Sequence, residues 1–120
     1  MKIMVVDDSR AMRGIILRTL RHAGFGNHDI VEASNGAEAL RMIELGPPDL
    51  VLCDWNMPEM SGIDLLRALN QKGRKGMTFG FVTSEGTPDI EKMANENGAA
   101  FLLTKPFTAD TLKSALAGVA

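Results

Sequence analysis

The run Leu50-Val-Leu-Cys53, set between Asp49 and Asp54, is apolar without interruption, and no other stretch so narrows what the chain can fold into. A strand with one wet face alternates apolar and polar residues. A strand covered on both faces reads instead as a continuous apolar run, as in parallel sheets. Shorter or interrupted stretches that also read as strands fall at Met1 to Val6, Asp29 to Ala33, Met77 to Val82 and Ala99 to Thr104. Between them the apolar spacing changes to three and four residues, the mark of helices. Met12, Ile15, Ile16 and Leu20 form one such face, Leu40 and Ile43 a second, and Ile63, Leu65, Leu66 and Leu69 a third. Leu112, Ala115, Leu116 and Val119 form the last. Ser9, Ser61 and Thr108 stand where a helix cap is wanted, Asn35-Gly36 reads as a turn into a helix, and Thr87-Pro88 combines a cap with proline at the first helical position. Gly24 and Gly26 close the first helix, and Gly98 the fourth.

Five strands thus alternate with five helices through short connections. Parallel neighbours need crossover helices, so the expected fold is α/β, a doubly wound parallel sheet with helices on both faces and right-handed crossovers. The 120 residues suffice for one core, and no linker or repeat divides them, so a single domain over 1–120 with no output domain is expected. Thirteen basic residues against fifteen acidic ones leave a net charge of -2, which recruits neither nucleic acid nor an anionic membrane. No apolar run is long enough to span a bilayer, and MKIMVVDDS turns acidic too early for a signal peptide. A cytoplasmic protein is expected. The single cysteine, Cys53, excludes an intrachain disulfide and reads as a small buried hydrophobe.

Open α/β sheets bind ligands beyond the carboxyl ends of their strands. The residues there are Asp7 and Asp8 after the first strand, Asp54 after the third, Thr83 and Ser84 after the fourth, and Lys105 after the fifth. Glu32 and Ser34, on the second, have no comparable focus. Each has a structural explanation when taken alone. Asp7, Asp8 and Ser9 precede a helix, Asp54 can start an Asx turn, Thr83 can simply end a strand, and Lys105 can be solvated. Together, three carboxylates in one crevice repel one another, and one lysine does not balance them. A hard divalent cation is the natural complement: Mg²⁺, with Mn²⁺ as an alternative. His22 and His28 lie away from this edge. The chemistry that fits is phosphoryl transfer to a carboxylate. Asp54 is the nucleophile candidate, Asp8 a direct metal ligand and Asp7 one acting partly through water; Lys105 and Thr83 would each meet a phosphoryl oxygen.

The set Asp7-Asp8, Asp54, Thr83 and Lys105-Pro106, together with VVDDSRAMR, DWNMPEMSG and TKPFTADTL, resembles the response-regulator receiver domain over essentially the whole chain, and most of all the single-domain chemotaxis regulators. The resemblance implies a flavodoxin-like (βα)5 fold with strand order 2-1-3-4-5. It implies Mg²⁺-dependent transfer to Asp54 from a histidine kinase or phosphotransfer protein, with the Asn56 backbone carbonyl as a further metal ligand. It also implies a cis Lys105–Pro106 bond, a Thr83 and Ser84 switch region, and tuning of phosphoryl lifetime by Asn56 and Glu85. An output protein is expected to dock on the face of the fourth helix, fifth strand and fifth helix, around Glu91, Asn95, Leu102, Lys113 and Ala117, and the protein is expected to be a monomer. One position departs from the pattern. Where the family usually has Tyr or Phe three residues before the lysine, this chain has Leu102, while Phe101 should face the opposite side.

Other readings fit less well. An aspartyl-phosphate hydrolase wants an Asp two residues after the nucleophile, and that position is Asn56. A nucleotide-binding domain wants a glycine-rich loop after the first strand, where this chain has carboxylates. A phosphate-independent pseudo-receiver usually lacks an acid or the lysine, and all are present here. A receiver fragment of a longer regulator is the remaining alternative.

Overall fold

The computed structural model describes residues 1–73 and 76–117; Val119, expected on the last helix, lies outside them. The chain runs β1 (Lys2–Val6), α1 (Arg10–Leu20), β2 (Asp29–Ala33), α2 (Gly36–Leu45), β3 (Leu50–Cys53), α3 (Gly62–Gln71), β4 (Thr78–Thr83), α4 (Pro88–Glu96), β5 (Phe101–Thr104) and α5 (Ala109–Ala117). The strands are all parallel, in the order β2-β1-β3-β4-β5. The expected α/β architecture and strand order are therefore present.

Each strand splits its side chains between two cores. Met4, Val6, Val51, Cys53, Phe79 and Phe81 pack against Ala39, Ile43, Ile63, Leu66, Leu69 and Ala94 of α2, α3 and α4. Ile3, Val5, Leu50, Leu52 and Val82 pack against Ile16, Leu20, Leu112 and Leu116 of α1 and α5. That two-sided burial is why β3 is buried at every residue and reads as an unbroken apolar run. Ile15 departs from its expected role: it is exposed, and it borders a shallow apolar recess with Met12, Lys105, Pro106 and Phe107. The α1 stripe that reaches the core is the i, i+4 pair Ile16 and Leu20.

The helix starts follow local chemistry. Ser9, Asn35, Ser61 and Thr87 each accept a backbone N–H three residues on, and Pro88 opens α4. Thr108 does the same for Thr111 at 3.2 Å, and Thr111 returns the bond to the Thr108 N–H at 3.0 Å. After α1 the chain makes a wider turn, Arg21–Phe25, in which Gly24 takes φ 95°. β5 begins two residues later than its apolar run. The Ala99 N–H is taken by the Ala94 carbonyl at the end of α4, the Ala100 N–H donates to the Phe79 carbonyl of β4 at 2.7 Å, and the register with β4 begins at Gly80↔Phe101. At that pair the Phe101 ring covers Gly80 so closely that a Cβ there would lie 2.2 Å from it.

Candidate metal and phosphoryl-acceptor site

The last rungs of the sheet hold the acids in place. The Asp7 N–H donates to the Ala33 carbonyl at 3.2 Å, and the Asp54 N–H donates to the Val6 carbonyl at 2.9 Å. β1 and β3 are neighbours, so both acids emerge from the middle of the sheet at the same edge. Asp8 follows as an exposed residue. One oxygen from each of Asp7, Asp8 and Asp54 lies within 4.8 Å of the other two. Lys105, whose own N–H donates to the Thr83 carbonyl at 2.7 Å, enters from β5. Its ammonium lies 2.9 Å from Asp7 Oδ2 and 3.5 Å from Asp54 Oδ1.

Asp7 is buried, and each of its polar groups has a partner. Its carboxylate accepts from Lys105 and from the Ser9 N–H at 2.9 Å; its carbonyl accepts from Arg13 Nη1 at 2.6 Å. Asp54 is only partly satisfied. Its Oδ1 accepts from the Trp55 N–H at 2.8 Å and faces Lys105. Burial pushes the Asp54 carboxyl above the usual carboxylate range, and Asp7 adds to this; Lys105 and the Trp55 N–H pull the other way. The protein's own groups thus leave Asp54 short of positive charge. An all-oxygen set of three carboxylates fits a hard divalent cation of the Mg²⁺ type. Cys53, next in the chain, has its thiol raised well above its ordinary range, chiefly by burial, and packs as the expected small hydrophobe.

The loop after β3 is shaped by close approach. A Cβ at Gly62 would lie 2.1 Å from the Asp54 carbonyl oxygen, so only glycine allows α3 to start there. Gly62 also donates its N–H to the Trp55 carbonyl at 2.9 Å. Within the loop the Met60 N–H reaches the Pro58 carbonyl at 2.7 Å across Glu59, which takes φ 68°. Across the mouth, Asn56 Nδ2 donates to Glu85 Oε1 at 3.3 Å. Thr83 is fully buried, and its hydroxyl accepts from the Glu85 N–H at 3.1 Å; Ser84 beside it is exposed. Leu102 packs with the core of α2, α3 and α4, and Phe101 with that of α1 and α5, so the two do face opposite sides. The Lys105–Pro106 bond is cis.

Sequence reasoning missed Arg13. Its Nε donates to Glu32 at 3.0 Å while Nη1 reaches the Asp7 carbonyl, which also gives Glu32 the partner it lacked on paper. The available signal was a cation one helical turn after Ser9, on the side facing β2. His22 is exposed, and His28 lies against Phe25 with ring centroids 5.4 Å apart. Neither joins the site.

The chain as a whole is similar to known proteins. The chain is 45% identical to the chemotaxis protein CheY of Pseudomonas aeruginosa over 94% of its own length and 90% of that protein's. It is 41% identical to CheY-3 of Vibrio cholerae over 97% of its length and 88% of that protein's. The solved structure of Vibrio cholerae CheY4 superposes with a TM-score of 0.85 at 32% identity, over 99% of this chain and 98% of that one. The family model described as the response regulator receiver domain matches residues 3–117, and the chain belongs to that family of two-component signalling regulators.

Proposed function

We propose that this receiver domain takes a phosphoryl group on Asp54 and, in doing so, changes the surface it offers to a partner. The observation that carries the reading is the position of Asp54: at the end of β3, half-satisfied, 3.5 Å from the Lys105 ammonium and grouped with Asp7 and Asp8. Asp7, Asp8, Asp54 and the backbone carbonyl of Asn56 would hold the ion. Bound there, Mg²⁺ (or Mn²⁺) supplies neutralisation of charge on the phosphoryl oxygens.

The protein's own groups do the rest. An Asp54 oxygen attacks phosphorus, the phosphorus–nitrogen bond of a phosphohistidine breaks, and the imidazole of a histidine kinase or phosphotransfer protein leaves. Lys105, now paired with Asp7 and Asp54, turns to a phosphoryl oxygen. The Thr83 hydroxyl, which accepts from the Glu85 N–H, donates its own O–H to another phosphoryl oxygen. Its movement pulls on the loop after β4, which carries Ser84 and Glu85, and Leu102 packs in the place of the family's usual ring. Asn56 and Glu85, bonded across the mouth, control the approach of the hydrolysing water. The domain thereby promotes only its own phosphorylation and dephosphorylation. Its relatives' names support a chemotaxis-type regulator. We read it as a monomer acting in the cytoplasm, whose output partner docks on α4, β5 and α5.

The test uses Trp55, which is buried beside Asp54 and has its ring centroid 4.7 Å from that of Phe81. Its fluorescence should change with Mg²⁺ and again with beryllofluoride, and the second change should vanish in Asp54→Ala. A flat response from folded protein would refute the reading and favour a phosphate-independent binding module.

A further inference from the structure

Arg13 is an unusual neighbour for a cation site. Its side chain reaches over the end of β1 from the second turn of α1 and is only 14% exposed. Nη1 donates to the Asp7 carbonyl at 2.6 Å and Nε to Glu32 Oε1 at 3.0 Å. The Asp7 carbonyl belongs to the peptide that joins Asp7 to Asp8, and it lies beyond the ladder with β2, whose last bond runs from the Asp7 N–H to the Ala33 carbonyl. Without Arg13 that carbonyl has no strand to bond to, and the peptide plane can turn. With it, the plane is pinned between α1 and β2. A planar guanidinium held at two different nitrogens resists rotation in a way that an ammonium, a single point charge, does not.

Charge does not explain the placement. A positive group beside three carboxylates weakens their attraction for a cation, and Glu32 largely cancels Arg13's charge in any case. What remains is geometry. We propose that Arg13 is a positioning residue for the divalent cation: by clamping the Asp7–Asp8 peptide against Glu32, it fixes where the Asp8 carboxylate stands relative to Asp7 and Asp54. The inference rests on the metal reading above.

Geometry and charge predict opposite signs, which makes the test sharp. Mg²⁺ alone is titrated into the full chain, with Trp55 fluorescence as readout, for wild type, Arg13→Lys and Arg13→Gln. Urea unfolding in chelator is measured alongside. Loss of an outer partner of a metal site typically weakens affinity by about tenfold or more. Arg13→Lys keeps the charge and loses the fork, so it should bind Mg²⁺ about tenfold more weakly, and Arg13→Gln should also be weaker. If charge alone mattered, Arg13→Lys would match wild type and Arg13→Gln would bind more tightly; either result overturns the proposal. A merely structural role would lower the urea midpoint while the folded protein kept wild-type affinity, which overturns it too. Should Arg13→Gln fail to fold, Arg13→Lys decides alone. Absence of Mg²⁺ binding in wild type refutes the metal reading itself, whereas wild-type binding with unchanged variants refutes only the role of Arg13.

Discussion

Single residues here trade stability for site chemistry. Asp54 has its folded-state pKa raised, chiefly by burial, so the folded protein holds its proton more tightly than the unfolded chain does. By linkage, stability is lost as pH rises through the raised pKa, and the deficit is fully present above it. Asp54→Asn should therefore be more stable than wild type to urea at pH 7 without metal. The gain should shrink to nothing as pH falls below the ordinary carboxylate range, and a gain that grew on acidification would contradict the assignment. Glu59 offers a second case. Its φ of 68° is a left-handed conformation that costs a residue with a Cβ roughly 1–2 kcal/mol, part of which glycine returns as unfolded-state entropy. Glu59→Gly should raise the unfolding free energy by up to about 1 kcal/mol; a loss of stability would mean that the Glu59 side chain holds the loop.

At the scale of elements, what was legible in the sequence was what local chemistry decides. Caps at Ser9, Ser61, Thr87 and Thr108 formed as read, because each needs only its own helix's N–H groups; Asn35, read as a turn, caps α2 in the same way. Boundaries set by neighbours were less legible. Ala99 is held by the α4 terminus through the Ala94 carbonyl and Ala100 is the first residue to bond β4, and Arg13 found Glu32 and the Asp7 carbonyl only once β2 lay beside β1. The helical glycines divide the same way. Gly14 has nothing within 4 Å of a prospective Cβ, so Gly14→Ala should stabilise α1 by about 0.5–1 kcal/mol. A Cβ at Gly62 would meet the Asp54 carbonyl at 2.1 Å and the Phe81 ring at 2.9 Å. Gly62→Ala should cost more than about 2 kcal/mol, as overpacking does, and should weaken Mg²⁺ binding because it moves Asp54. Equal urea midpoints for the two variants would show that the α3 start is not constrained as described.

For the whole molecule, the doubly wound sheet explains why residues as far apart in sequence as Asp7 and Lys105 form one site: every strand points its carboxyl end the same way. That convergence followed from five alternating apolar runs, so the acids and the lysine could be gathered on paper. The pairing of Lys105 with Asp7 more closely than with Asp54 could not, since it depends on side-chain depth. A ligand that binds only the folded state raises its stability. Mg²⁺ should accordingly raise the thermal midpoint of wild type and leave that of Asp8→Asn nearly unchanged; equal increments would place the ion elsewhere. The central claim is tested most directly by incubating the protein with Mg²⁺ and a small-molecule phosphodonor, trapping acyl phosphates chemically, and mapping the modified peptide by mass spectrometry. One phosphoryl group per chain at Asp54, absent without Mg²⁺, is the predicted result. Modification at another residue, or an unmodified Asp54 in a folded, Mg²⁺-bound protein, would contradict it.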